Sequence, residues 1–232
     1  MSPAAGFVGL LGPLIVVTDR RQAAAAVPGR TLPDVVRAAI DGGARTVLLR
    51  EKDLPWRERR GLAETLAGLL RAVDGTLLLA SDAGLAADVG AGGVHLAAAD
   101  PWPAPAESER RPAVVGRSCH SVDDLRAALT NGADYASLSP IWPSPSKPGY
   151  GPALGLVRLA DACGAVPGLP VVALGGVTTT RAAACRTVGA AAVAVMGEVM
   201  RAADPAGRVR ALLAELRSED VAKARSAARE TR

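Results

Sequence analysis

One lysine stands in the stiffest stretch of the sequence. Residues 139–151 read SPIWPSPSKPGYG, with four prolines, three serines and Lys147, in a chain that holds 24 arginines and only Lys52, Lys147 and Lys223. A lysine ammonium is a compact point charge with three rotatable donors, suited to a phosphate that moves as its bond breaks. Pro145 and Pro148 restrict the unbound conformations of the loop and so lower the ordering cost of closure. Read by itself, the stretch is equally a rigid surface turn that happens to carry a lysine. Lys52 ends a second cationic group, Arg50-Glu51-Lys52, which is either a phosphate contact or a solvated charge run. Asp82 and Asp100 are carboxylates of the kind that share Mg²⁺, a hard cation that takes few protein oxygens and completes its shell with phosphates and water. Asp82 reads equally as a cap for the helix expected near Gly84. Gly175-Gly176, followed by a Thr-led helix, fits a phosphate cradle of backbone N–H groups or a simple tight turn. Of the two histidines, His120 lies in polar surroundings and is the chemical candidate; His95, inside an apolar run, reads as a packed structural residue.

Such distant residues meet only if the fold brings them together. The chain alternates short apolar runs with longer amphipathic ones. The strand candidates are LIVVT (14–18), TVLLR (46–50), TLLLA (76–80), GVHL (93–96), AVVGR (113–117), YASLS (135–139), PVVAL (170–174) and AVAVM (192–196). Continuous apolar runs of this length mark strands buried on both faces of a parallel sheet. Helices are expected over 31–42, 57–73, 84–90, 121–131, 154–164, 178–188 and 204–217, with start signals at Thr31 and Ser121. Eight strands with seven helices close a (β/α)8 TIM barrel, a single domain over 1–217, with a doubly wound open sheet as the alternative. A loop in place of a full helix is expected near 92–112. Residues 218–232 form a polar C-terminal tail, either a helical extension or loose.

On a barrel the chemistry gathers at the C-terminal strand ends, and the polar residues fall there: Arg50 and Lys52 after strand 2, Ser81 and Asp82 after strand 3, Asp100 beyond strand 4. Ser118 and His120 follow strand 5; Ser139, Ser144, Ser146 and Lys147 follow strand 6. Gly175-Gly176 and Met196-Gly197 end strands 7 and 8.

The bulk composition is that of an ordinary globular α/β protein, 49% hydrophobic and 22% charged. The net charge of +4 and pI near 9.3 come from arginines scattered through helical stretches. Without an aromatic-interleaved basic patch this reads as a solvated surface and not as nucleic-acid binding, and it favours phosphorylated small molecules. Cys119, Cys163 and Cys185 have neither CxxC spacing nor an even-numbered framework, which fits a reducing cytoplasm. The apolar start lacks a basic n-region, and no run of about eighteen apolar residues is present, so neither a cleaved leader nor a membrane span is expected. A homo-oligomer is compatible with this composition.

The stretches LLREK (48–52), SDAGLAADVGAGGVHLAAAD (81–100), GRSCHS (116–121), GADYASLSPIWPSPSKPG (132–149) and VVALGGVT (171–178) resemble the thiamine phosphate synthase family and its close relative, the thiazole tautomerase. The resemblance spans roughly residues 12–205. It implies an enzyme that joins hydroxymethylpyrimidine diphosphate to thiazole phosphate and releases pyrophosphate. By that resemblance Arg50, Lys52 and Lys147 hold the diphosphate, and Asp82 and Asp100 ligate Mg²⁺. Ser118 contacts the leaving group, and Ser144 and Ser146 stand beside the phosphates where the family usually has threonines. Gly175, Gly176, Met196 and Gly197 cradle the thiazole phosphate, and Trp142 packs the loop.

Two positions and one loop depart from the family pattern. Leu48 replaces a glutamine, Ser81 replaces an asparagine, and Ala97-Ala98-Ala99-Asp100 keeps only the carboxylate of Gly-Gln-Glu-Asp. The lost amides serve the pyrimidine side, whereas the thiazole side is intact. That imbalance supports an alternative, a thiazole tautomerase with His120 as acid–base catalyst. A second alternative is a paralogue that binds thiazole or thiamine phosphates without turnover. Retention of Lys52, Asp82, Asp100 and Lys147 favours the synthase.

Overall fold

The computed structural model describes residues 3–102, 112–144 and 152–230, with side chains described over 6–102, 112–144 and 152–217. Eight parallel strands close into a barrel in chain order, with β8 hydrogen-bonded back to β1. They are β1 (Leu14–Val17), β2 (Thr46–Leu49), β3 (Thr76–Ala80), β4 (Gly93–Leu96), β5 (Val114–Cys119), β6 (Tyr135–Leu138), β7 (Val171–Leu174) and β8 (Ala192–Val195). The register runs Val16↔Val47 and Val47↔Leu77. A closed barrel removes the open-sheet alternative.

Both faces of each strand are buried, and the two-residue period separates them. Val16, Val47, Leu49, Leu79 and Val193 pack outward against the helices. Ile15, Leu48, Leu78, Tyr135 and Val172 pack inside the barrel. The surrounding helices are α2 (Arg20–Ala26), α3 (Leu32–Asp41), α4 (Trp56–Arg71), α5 (Ala83–Asp88), α6 (Val122–Thr130), α7 (Gly155–Ala165), α8 (Thr179–Thr187), α9 (Gly197–Met200) and α10 (Pro205–Glu230), preceded by α1 (Pro3–Leu11). Capping boxes start α3 and α6: Thr31 with Asp34, and Ser121 with Asp124, each side chain satisfying the other residue's backbone N–H.

Helices α1, α2 and α9 were not expected from the sequence. In α1 an apolar run continues almost unbroken into β1, so periodicity gives no boundary. Its Phe7 and Leu11 join the barrel-interior cluster, with the Phe7 ring 5.2 Å from that of Tyr135, and the Thr46 hydroxyl donates to the Leu11 carbonyl at 2.6 Å. Helix α1 thus seals the N-terminal mouth; burial of each such side chain contributes about 2 kcal/mol. A Cβ on Gly116 would collide with the Tyr135 ring, so only glycine in β5 lets that ring lie across the interior. The described residues between β4 and β5 form no helix, and 103–111 lie outside the described set. Helix α10 carries on past 217 to Glu230. Among the described residues no helix is long and apolar enough to cross a membrane.

Candidate active site

A cavity of about 920 Å³ opens at the C-terminal strand ends. Nine residues expected at the site line it: Arg50, Lys52, Ser118, His120, Ser144, Gly175, Gly176, Met196 and Gly197. Ser81, Asp82 and Asp100 are not among the lining residues. Ser146 and Lys147 fall in 145–151, outside the described set. Between the polar groups the wall is apolar, formed by Val17, Leu48, Ala80, Leu174 and Ala194. Such a surface suits a flat ring held between charged ends.

The floor carries a buried polar chain. His95 Nδ1 lies 2.8 Å from the Tyr135 hydroxyl, and its Nε2 lies 3.0 Å from Ser118 Oγ and 3.3 Å from Ser137 Oγ. Burial first, then the adjacent Lys52 charge, pushes the His95 pKa down to about 4, so the imidazole is neutral near pH 7. Burial raises the Tyr135 pKa, so its O–H stays on and must donate. Its partner is Nδ1, which leaves the proton on Nε2 to donate to Ser118. His95 is therefore packed, as expected, and it also reaches the cavity and orients a hydroxyl that the resemblance places beside the leaving group.

Above this floor stands Lys52, whose Nζ donates to Ser81 Oγ. Its pKa is lowered, chiefly by burial and further by Arg50 and Arg59, against the opposing pull of Asp100. For Asp100, burial acts to raise the pKa. Hydrogen bonds from Ser81 and from the Ala97 N–H (2.6 Å), with Lys52 and Arg117, outweigh it, and the net shift is downward. Asp100 is thus an ionised carboxylate beside a cavity-lining lysine.

Asp82 has two structural duties. Its Oδ1 accepts from Leu85 N at 2.8 Å and caps α5, and its Oδ2 pairs with Arg59 Nη1 at 3.2 Å. The cap reading therefore holds, with a half-buried ion pair added. Arg59 also donates to the Ala80 carbonyl from a nearly buried position on α4. Nothing in the sequence separates Arg59 from the exposed arginines of the same helix.

Among the described residues no group of three or more His, Cys, Asp or Glu could hold a metal ion by itself. Asp82 and Asp100, on the loops after β3 and β4 beside a cavity lined by Arg50 and Lys52, still fit Mg²⁺, which needs only one or two protein carboxylates when phosphates and water supply the rest.

At the β7–β8 end, Gly175 and Gly176 have φ of 92° and 62°, the left-handed region that favours glycine. A Cβ on Gly175 would lie 2.8 Å from Pro140 Cα, and one on Gly176 would lie 2.7 Å from the Pro143 carbonyl. The loop after β6 packs directly on this turn, with Trp142 N donating to the Gly175 carbonyl at 3.0 Å. Trp142 does pack the loop, and Arg181 lies over its ring at 5.0 Å.

The start of α8 carries a carboxylate of the protein itself. Glu198 Oε1 accepts from Thr179 N at 3.2 Å and Thr179 Oγ1 at 3.0 Å, so a carboxylate of the protein already fills that helix start.

His120 Nδ1 is 2.8 Å from the Ser139 carbonyl, which can only accept; the proton is therefore on Nδ1. Cys119, between these polar residues in sequence, points into the core, and burial pushes its thiol up to about 12. Glu51 likewise leaves the site: buried, it accepts from the Arg20 backbone N–H and side chain at 3.0 and 2.9 Å.

Residues 14–199 match the family model for thiamine monophosphate synthase. A thiamine-phosphate synthase of Roseiflexus castenholzii is 39% identical over 205 residues, 87% of this chain and 86% of that protein. A putative thiamine-phosphate synthase of Geobacter sulfurreducens is 38% identical over 205 residues, 88% of this chain and 93% of that protein. The solved structure of thiamine phosphate pyrophosphorylase from Pyrococcus furiosus superposes with a TM-score of 0.76 at 29% identity, covering 89% of this chain and 96% of that one.

Proposed function

The chain belongs to the thiamine monophosphate synthase family, and from that premise we propose that it couples hydroxymethylpyrimidine diphosphate to thiazole phosphate and releases pyrophosphate. The C–O bond between the pyrimidine methylene and the diphosphate breaks, and its electron pair leaves with the diphosphate. The thiazole nitrogen lone pair then captures the pyrimidine cation to form the C–N bond. The observation that carries this reading is one cavity with Arg50 and Lys52 on one stretch of wall, the Gly175-Gly176 and Gly197 backbone on another, and apolar side chains between them.

Chemistry of this kind needs charge stabilisation of a leaving group and alignment of two rings. Arg50 and Lys52, with Lys147 from the loop after β6, hold the diphosphate, and Ser118 donates to it from the floor. Asp82 and Asp100 would hold Mg²⁺, which when bound neutralises diphosphate charge. The glycine turn and the start of α9 take the thiazole phosphate. The apolar wall, with Leu48 in place of an amide, packs the pyrimidine face and gives up one polar contact to its edge. The partners are small phosphorylated molecules.

His120 favours a second reading. With Nδ1 donating to the Ser139 carbonyl, Nε2 is the ring nitrogen that would carry acid–base aromatisation of a thiazole. A tautomerase has no use, however, for Lys52 beside Asp100. Pyrophosphate release measured with both substrates, with and without Mg²⁺, decides. Mg²⁺-dependent release supports the synthase. Metal-independent thiazole isomerisation that His120→Ala abolishes replaces it with the tautomerase. Thermal stabilisation by thiazole phosphate with neither activity marks a binding paralogue.

A further inference from the structure

Two cations at the β7–β8 end of the cavity, Arg181 and Arg201, have no carboxylate within ion-pair distance among the described residues. Arg181 is already engaged: Nη1 donates to the Gly176 carbonyl at 2.9 Å, and the guanidinium lies over Trp142. Arg201 is placed differently. It follows α9 by one residue, and its guanidinium folds back over the Cα of Gly197, where any Cβ would overlap it. Nη1 donates to Gln22 Oε1, and Gln22 Nε2 is in turn held by Asp19 Oδ2 at 2.7 Å. The fork is thus anchored from α2 across the Gly197 backbone at the cavity wall.

Glu198, the nearest acid in sequence, does not compete for this charge. Its Oε1 accepts from Thr179 and lies 3.3 Å from Arg208. Arg201 lines the same cavity as the Gly175-Gly176 turn, with its guanidinium over the Gly197 backbone. A guanidinium offers a planar pair of donors matched to two phosphate oxygens.

We propose that Arg201 is a binding residue for the phosphate of the acceptor substrate and that it sets the preference for a phosphorylated over an unphosphorylated thiazole alcohol. This rests on the synthase reading for the identity of the acceptor. The competing role is a strap that only ties α9 to α2 through Gln22.

The test is calorimetric binding of thiazole phosphate and of the unphosphorylated thiazole alcohol to the full chain, with wild type, Arg201→Gln and Arg201→Lys compared, and no pyrimidine diphosphate present. Steady-state pyrophosphate release is measured in parallel. Loss of a charge-assisted bond predicts a Kd for thiazole phosphate at least about tenfold weaker in Arg201→Gln. The Kd for the alcohol, the KM for the pyrimidine diphosphate and the melting temperature stay unchanged, and Arg201→Lys falls between. Equal affinity in wild type and Arg201→Gln, equal losses for both ligands, or no binding of thiazole phosphate by wild type overturns the proposal. Selective loss of thiazole phosphate affinity in a protein that releases no pyrophosphate upholds Arg201 while refuting the synthase; normal turnover with unchanged affinity does the reverse.

Discussion

The Tyr135 hydroxyl lies 2.8 Å from His95 Nδ1, inside the barrel and directly beneath the cavity. A neutral imidazole is built into the native state there, with a pKa of about 4 against an ordinary 6.5. The unfolded chain therefore binds the extra proton first as pH falls. Stability contributed by this group is complete above pH 6.5 and is lost as pH drops toward 4, by about 3 kcal/mol in all. In His95→Gln that part of the pH dependence should disappear from denaturation curves taken between pH 7 and 4. A variant as pH-sensitive as wild type would place the titrating group elsewhere.

Asp82 faces a buried cation 3.2 Å away. Asp82→Asn keeps the α5 cap and removes the charge, leaving Arg59 uncompensated at a cost of about 3 kcal/mol. Chemical denaturation should register that loss. If the carboxylate also binds Mg²⁺, the half-saturating Mg²⁺ concentration for turnover should rise as well. Lost stability with an unchanged Mg²⁺ requirement would leave Asp82 a purely structural residue.

Lys147→Ala should lower turnover by roughly two to three orders of magnitude, the scale of losing one preorganised charge contact, with the melting temperature nearly unchanged. An unaltered rate would return SPIWPSPSKPGYG to the status of a stiff turn.

Leu48 lines the cavity where an amide would serve the pyrimidine, and Ser81 occupies φ 58°, a conformation asparagine tolerates better than serine. The double change Leu48→Gln, Ser81→Asn should tighten binding of the pyrimidine diphosphate about tenfold, as one recovered hydrogen bond would. Calorimetry showing no gain would mean that other groups already satisfy the ring.

Much of this was legible in the chain because parallel barrel strands are buried on both faces: LIVV, TVLL and VVAL declare themselves without alternation. Rim residues were found for a related reason, since Arg50, Ser118 and Gly175 immediately follow such runs. Charged residues on helices escaped notice. Arg59, Arg181 and Arg201 look like any solvated arginine until the tertiary fold brings Asp82, Gly176 or Gly197 against them. Tyr135 was read only as strand, because its hydroxyl has meaning only opposite His95, forty residues earlier. At Thr179 the local signal was real, and tertiary context redirected it: the helix start attracts an anion, and Glu198 supplies one.

With the Phe7 ring on Tyr135 and Leu11 in the same interior cluster, the barrel is a cup and not a tube. Among the described residues the cavity opens at the C-terminal rim, and substrates and products would pass there. A product still lodged in the cup would compete with the next pair, so inhibition of turnover by added pyrophosphate is the expected outcome and initial-rate kinetics would check it.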